Sequence, residues 1–119
     1  MARLMSSTEL HQRIETGEDF VLIDVLPADE FEKEHIPGAI NIPLSDLPKR
    51  AKSDLSKNQR IVVYGRTHDD LASTDASTIL EEMHFRKVAD FDGGIDAWKR
   101  AGFLTEGSEP EIIGEMASL

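Results

Sequence analysis

The sequence predicts a single α/β domain whose central sheet is mostly parallel, with helices on both faces. Three short apolar runs, over residues 20–24, 61–64 and 88–91, have the length and composition of buried strands. Segments with the apolar spacing of a helix separate these runs, and strands that alternate with helices form parallel sheets. A chain of 119 residues is long enough for one core of its own.

The first expected elements are a capped helix and a buried strand. Ser6 and Glu9 have the spacing of a capping box, in which each side chain bonds the other residue's backbone, and Gly17 is the expected end of this helix. The strand over 20–24 ends in Asp24. We expect this carboxylate to accept hydrogen bonds from backbone N–H groups of the adjacent turn, which is a structural role.

A second, shorter helix is expected to start at Pro27, a residue that favours the first turn. The Pro-Gly pair at 37–38 indicates a sharp turn, and His35 is interpreted as a side chain that anchors it. A brief strand over 39–42 follows. Ser45 is then expected to cap a third helix.

The second half of the chain repeats the alternation. The strand over 61–64 ends at Gly65, a polar loop follows over 66–73, and the apolar residues take helical spacing from Ala76. The strand over 88–91 comes next. In an α/β sheet, the crossing from such a strand to its helix is where ligands usually bind.

The end of the chain differs in composition. A last helix with Trp98 on its buried side is expected to stop at Gly102. Residues 104–119 contain four glutamates and no lysine or arginine. We therefore expect a domain over residues 1–103, followed by an acidic tail or a short terminal helix over 104–119.

Composition excludes several classes of function. The chain has no cysteine, which rules out disulfides, thiolate metal sites and cysteine nucleophiles. A net charge of −10 argues against nucleic-acid and anionic-membrane partners, and is explained either by solubility or by a partner protein with a basic surface. No apolar run has the length of a membrane span or of a signal-peptide core, so a cytoplasmic location is expected.

Several stretches carry a resemblance to a known family. Asp24-Val25, Glu30-Phe31 and the run over 35–43, HIPGAINIP, resemble the first signature of rhodanese-like domains. Residues 61–64 look like the strand before their active-site loop, and 92–98, DGGIDAW, like their closing signature. This resemblance implies a small α/β domain. In active members, a cysteine directly after the strand accepts sulfane sulfur as a persulfide, from donors that include thiosulfate, for acceptors that include cyanide and protein thiols.

The chain departs from the family pattern at the chemistry. Gly65 occupies the position of the family cysteine, and the loop is about two residues longer, with Asp69 and Asp70 added. Leu26 stands where an arginine is common, and Glu34 where a glycine is common. Glycine has no side chain to carry sulfur, and nearby carboxylates destabilise a thiolate. The loop is therefore not expected to transfer sulfur.

The candidate site is this loop, with Asp24 and His35 as possible supporting residues and with no catalytic residue, cofactor or metal assigned. Arg66 is expected to pair with Asp69 or Asp70 rather than to bind an anion. Ser73 and Thr74 are interpreted as helix caps rather than nucleophiles. The loop consists of Gly65, Arg66, Thr67, His68, Asp69, Asp70, Leu71, Ala72, Ser73 and Thr74.

Three functional interpretations stay open. The preferred one is a rhodanese-like domain without sulfurtransferase activity that acts as a protein-interaction or regulatory module. The second is an enzyme of altered chemistry, in which His68, Asp69, Asp70 and Asp75 hold a metal, or His68 and Asp69 form an acid–base pair. The third is a domain that works beside an active sulfurtransferase and supplies structure or recognition.

Overall fold

The computed structural model describes residues 2–108, and they form a five-stranded, entirely parallel sheet between two layers of helices. The strand order is β1-β5-β4-β2-β3, which confirms the predicted fold class. The strands are β1 (Arg3–Leu4), β2 (Val21–Asp24), β3 (Ile40–Asn41), β4 (Arg60–Tyr64) and β5 (Lys87–Phe91). The helices are α1 (Ser7–Glu15), α2 (Ala28–Lys33), α3 (Leu47–Asp54), α4 (Ala72–Glu82) and α5 (Gly94–Arg100).

The core has one half on each face of the sheet. Side chains alternate along a strand, so Ile61 and Val63 of β4 face α3 and α4, whereas Val62 and Tyr64 face α1 and α5. Trp98 of α5 is 2% exposed, which confirms its predicted place in the core. This double burial explains why the central strands read as continuous apolar runs.

The carboxyl ends of three strands lie level with one another. Tyr64, the last residue of β4, pairs with Asp24 of β2 on one side and with Phe91 of β5 on the other. The segments that follow these strands therefore leave the sheet at one edge. This is the edge where ligands bind in parallel α/β sheets.

The first helix confirms part of the capping prediction. The Ser6 hydroxyl accepts a hydrogen bond from the Glu9 N–H at 3.1 Å, and Gly17 follows the helix with a φ of 71°. The predicted return bond from the Glu9 side chain is wrong. Its carboxylate instead accepts hydrogen bonds from Arg3 and Arg13, because charged partners form stronger hydrogen bonds than a backbone amide does.

Two predicted helix starts are wrong. Ser45 lies inside a 3₁₀ turn, Leu44–Asp46, and caps nothing; α3 begins directly after that turn. The helix after β4 begins at Ala72, which lies inside the loop predicted over 66–73. The apolar stripe from residue 76 onward misses the first helical turn, which is mostly polar. Strand β1 was not predicted, because two residues are too few to show a pattern.

Residues 104–108 lie against the end of α2. Glu106 and His35 form an antiparallel bridge with N···O distances of 2.8 and 2.9 Å, and the indole of Trp98 donates to the Leu104 carbonyl at 2.9 Å. The domain boundary after residue 103 stays a prediction, and the expected terminal helix falls outside the described residues. Within residues 2–108, none of the helices has the length and apolarity that crossing a membrane requires.

Candidate functional site

Two backbone hydrogen bonds join α5 to the loop that follows β4. The N–H groups of Ile95 and Asp96 donate to the carbonyls of Gly65 and Arg66, at 3.0 and 2.9 Å. Gly94 allows this approach, since its φ is +67° and an added Cβ would lie 2.6 Å from the Gly65 oxygen. The second glycine of the closing signature is thus required by contact with the loop.

The carboxylate of Asp70 accepts hydrogen bonds from two backbone N–H groups of the loop and of the helix that follows it. One of its carboxylate oxygens, Oδ1, accepts a hydrogen bond from the Ala72 N–H at 3.0 Å. The other, Oδ2, accepts a longer one from the Arg66 N–H at 3.4 Å. A carboxylate that binds N–H groups at the start of a helix satisfies donors that would otherwise be free. Asp70 therefore satisfies the N–H of the first residue of α4, whereas Leu71 is the N-cap and neither Ser73 nor Thr74 caps the helix as predicted.

Gly65 lies directly beneath this carboxylate. A Cβ at Gly65 would be 3.3 Å from Oδ2 of Asp70, 3.5 Å from the Cβ of Ala72 and 3.7 Å from the backbone nitrogen of Ser73. A side chain at position 65 would thus enter a space bordered by the beginning of α4 and by a negative charge. The loop already contains an anion where a bound anion or a thiolate would need N–H donors.

Arg66 reaches out of the loop to α2. Its guanidinium bonds the carboxylate of Glu30, with Nε 3.0 Å from Oε1 and a second contact from Nη2. The predicted pairing with Asp69 or Asp70 is therefore wrong. Asp70 is turned inward by backbone N–H groups, and Asp69 is exposed without an ion pair to any residue in 2–108.

His68 also has a different partner from the predicted one. Its Nδ1 lies 3.0 Å from Oδ2 of Asp92, and 79% of its side chain is exposed. The predicted acid–base pair with Asp69 is wrong. The contact instead joins the loop to the first residue of the closing signature, as an exposed imidazole–carboxylate pair of modest strength.

Ser73 and Thr74 lie in the first turn of α4, so their predicted role as caps is wrong. Ser73 is 1% exposed, and its hydroxyl lies near Asp90 but forms no hydrogen bond of good geometry with a described residue. Thr74 donates from Oγ1 to Oδ2 of Asp90 at 3.3 Å. Burial raises the pKa of Asp90, and the two neighbouring hydroxyls oppose that rise. No imidazole that would activate either hydroxyl contacts it in this part of the chain.

Asp24 and His35 lie to the side of the loop. Asp24 is fully buried and accepts a hydrogen bond from the Leu26 N–H at 2.9 Å, which confirms its predicted structural role. Burial raises its pKa to about 6, although this N–H lowers it. His35 stacks on Phe31 and bonds that residue's carbonyl through Nδ1 at 2.7 Å, so its side chain contacts α2, and its role as an anchor of the turn at 37–38 stays a prediction.

The geometry gives no support to a metal site in the loop. His68 turns to Asp92, Asp70 turns to the backbone, and Asp75 lies in the first turn of α4. Within residues 2–108, no group of three histidine, aspartate or glutamate side chains converges closely enough to hold an ion. Carboxylate and imidazole ligands need such convergence to bind a metal.

A five-stranded parallel sheet with a loop of this kind after its central strand defines a class of α/β domain, and comparison with known proteins gives the family. The model of the rhodanese-like domain matches residues 6–101. The chain therefore belongs to the rhodanese-like domain family.

Similar proteins show the same domain in several settings. The chain is 36% identical to the HTH-type transcriptional regulator Rv0324 of Mycobacterium tuberculosis over 93% of its own length and 48% of the regulator's. It is 31% identical to a sulfurtransferase of Allochromatium vinosum, covering 86% of this chain and 92% of that protein. The crystal structure of the Alr3790 protein from Anabaena is 35% identical, covers 96% of this chain and 98% of that one, and has a TM-score of 0.81.

The chain spans about half the length of the first curated relatives that it matches. The covered share is 48% for the regulator and 45% for a putative sulfur carrier protein, YrkF, of Bacillus subtilis. The resemblance to these two proteins therefore concerns one domain of each.

Proposed function

We propose that this rhodanese-like domain transfers no sulfur and acts as a protein-binding module whose contact surface is the loop over residues 65–74. The observation that carries the proposal is the place of Asp70, whose carboxylate takes backbone N–H groups inside the loop. A sulfur carrier would need those donors for a thiolate or persulfide. The chain has no thiol at all.

The outer surface of the loop is suited to contact with another protein. Leu71 is a large apolar side chain in the loop and is 64% exposed, so a partner could cover it. Around it lie the ion pair of Arg66 with Glu30, the pair of His68 with Asp92, and the exposed Asp69. An apolar centre with a charged rim is the usual arrangement of a protein–protein interface.

The expected partner has a basic surface, because the chain carries a net charge of −10. The relatives indicate two settings for such a contact. The M. tuberculosis relative is a transcriptional regulator, and the A. vinosum relative is a sulfurtransferase. Regulation by recognition of a sulfur-transfer protein is consistent with both.

An activity assay tests the first half of the proposal. Thiosulfate-to-cyanide sulfur transfer is measured for the unmodified chain, for Gly65→Cys and for an active relative. We expect no turnover by the unmodified chain, and turnover by it would overturn the proposal. Turnover by Gly65→Cys alone would show that the loop still forms an anion cradle and that loss of the thiol is the main change.

Position-specific crosslinking in cells tests the second half. A photoreactive residue is placed at Leu71 and, as a matched control, at Leu4, which is 63% exposed on the edge strand β1. We expect a protein adduct from position 71 that excess unmodified domain competes away and that Asp69→Lys weakens. The same adducts from both positions, or none from position 71, would contradict the binding surface.

A further inference from the structure

A cavity of about 630 Å³ lies at the opposite edge of the sheet from the loop. Its walls come from the beginnings of β4 and β5, from the C-terminal half of α1 and from the segment after α4. A volume of this size suits a small organic ligand. We refer to this cavity as the basic pocket.

The charge of the basic pocket is opposite to that of the chain. Two carboxylates line it, those of Glu18 and Glu81, whereas the chain as a whole has 23 acidic and 13 basic residues. The five cations that line it are Arg3, Arg13, Arg60, Arg86 and Lys87. A concave site in which one sign of charge predominates attracts ions of the other sign.

Three of these cations already form ion pairs, which they share with two carboxylates. Arg3 and Arg13 share the carboxylate of Glu9, and their hydrogen bonds lower its pKa to about 2. Arg13 and Arg60 both bond Glu18. These pairs form a fixed wall of the pocket.

The other two cations are available to a ligand. Arg86 and Lys87 have exposed side chains, and within residues 2–108 neither forms an ion pair. Both lie at the start of β5, so they border the pocket on one side. An anionic group that reached either of them would form charge-assisted hydrogen bonds, which are about twice as strong as neutral ones.

Stabilisation of helix C-terminal ends does not explain why most of these cations line the pocket. Arg13 lies in the last turn of α1, where a cation is favoured. Arg3, Arg60 and Lys87 belong to strands, which have only small net dipoles. Since the C-terminal ends of helices repel anions, a ligand here would be held by side chains.

Apolar residues also line the pocket. Met5, Val62 and Phe20 belong to the α1 face of the sheet, and Ile61 and Val88 belong to the α4 face. Phe20 is the most exposed of these side chains, since the other four are at most 7% exposed. Phe20 would therefore make the main contact with the apolar body of a ligand, and burial of that body would favour binding.

We infer that the basic pocket binds a small organic anion, with its apolar body against Phe20 and its anionic head group at the unpaired cations, Arg86 and Lys87. The inference does not depend on the function proposed for the loop, since the two sites lie at opposite edges of the sheet. Phosphate and carboxylate heads share the required chemistry.

The probe is 1-naphthyl phosphate, titrated into the full chain by calorimetry and by NMR of backbone amides at low salt. Inorganic phosphate and 1-naphthol each supply half of the probe, and 1-naphthoate replaces the phosphate head by a carboxylate. We expect saturable binding, with each half-probe at least about tenfold weaker, a factor that corresponds to 1.4 kcal/mol. The largest amide shifts are expected at the beginnings of β4 and β5.

The matched variants remove two cations each. Arg86→Ala/Lys87→Ala should weaken binding at least about tenfold, whereas Lys49→Ala/Lys52→Ala, on the exposed side of α3, should change it less than about twofold. Lys87→Met, which retains most of the side-chain stem, serves if the double variant unfolds. Equal weakening in both double variants, absence of saturable binding at millimolar probe, or amide shifts confined to the loop would overturn the inference.

Discussion

A thiol introduced at Gly65 should have a raised pKa because of Asp70. A Cβ at this position would lie 3.3 Å from Oδ2 of Asp70. A side-chain rotamer that keeps the sulfur near this carboxylate would place the sulfur about 4 Å from Oδ2. Two unit charges at that distance repel by about 4 kcal/mol at an effective dielectric constant of 20. Asp70 is only partly buried, so solvent screening reduces this to about 1–2 kcal/mol, or about one pKa unit.

The beginning of α4 acts in the opposite direction. The Ser73 nitrogen would be 3.7 Å from the new Cβ, and N–H groups at a helix start lower the pKa of a thiol. With the carboxylate present, we expect Gly65→Cys to titrate above the ordinary value of about 8.5. In Gly65→Cys/Asp70→Asn the helix start is unopposed, and the pKa should fall by about one unit or more.

The assay is the rate of alkylation by iodoacetamide as a function of pH, which reports the thiolate fraction. Gly65→Cys/Asp69→Asn is the matched control, because it removes the same charge from an exposed neighbour. We expect this control to shift the thiol pKa by no more than a few tenths of a unit. Equal pKa values in all three variants, or an Asp69 effect as large as that of Asp70, would refute the role given to Asp70.

Three further predictions concern the scaffold. Asp24 has a pKa of about 6 in the folded protein, against an ordinary value of 3.8. The folded protein therefore favours the protonated form, and the free energy of unfolding falls by about 3 kcal/mol as pH rises from about 4 to 6 and the carboxyl ionises. In urea unfolding, the free energy of unfolding of Asp24→Asn, relative to that of the unmodified protein, should therefore be higher at pH 7 than at pH 4. The same difference at both pH values would contradict this. Gly94→Ala should destabilise by about 2 kcal/mol more than Gly17→Ala in urea unfolding, since both glycines have positive φ but only Gly94 is in close contact; equal costs would count against the contact with the loop. Zn²⁺ or Mg²⁺ up to about 1 mM should leave the melting temperature unchanged, and a rise would revive the metal-assisted alternative.

Prediction from sequence succeeded where a physical signal is local. The apolar runs identified β2, β4 and β5 because strands buried on both faces consist mainly of apolar side chains, with the buried Asp90 as an exception inside β5. Ser6 was found because a cap and its helix are adjacent. Asp24 was placed correctly because its acceptor role involves the next two residues.

The candidate site was located by sequence but its contacts were not. Arg66 bonds a glutamate 36 residues away and His68 bonds Asp92, 24 residues away, so only the fold brings these groups together. The nearby alternatives, Asp69 and Asp70, gave a misleading local signal. The contact of Asp70 with Ala72 could have been predicted from the sequence. An aspartate often forms a turn by accepting a hydrogen bond from the N–H two residues later.

The hydrogen bonds that fix the loop also affect the rate and the affinity with which it would bind a partner protein. Its backbone is bonded to α5, and its side chains are bonded to α2 and to Asp92. A loop that is already ordered loses little conformational entropy when a partner binds. Recognition through it should therefore resemble the docking of two preformed surfaces, with association limited by encounter and orientation rather than by rearrangement of the loop.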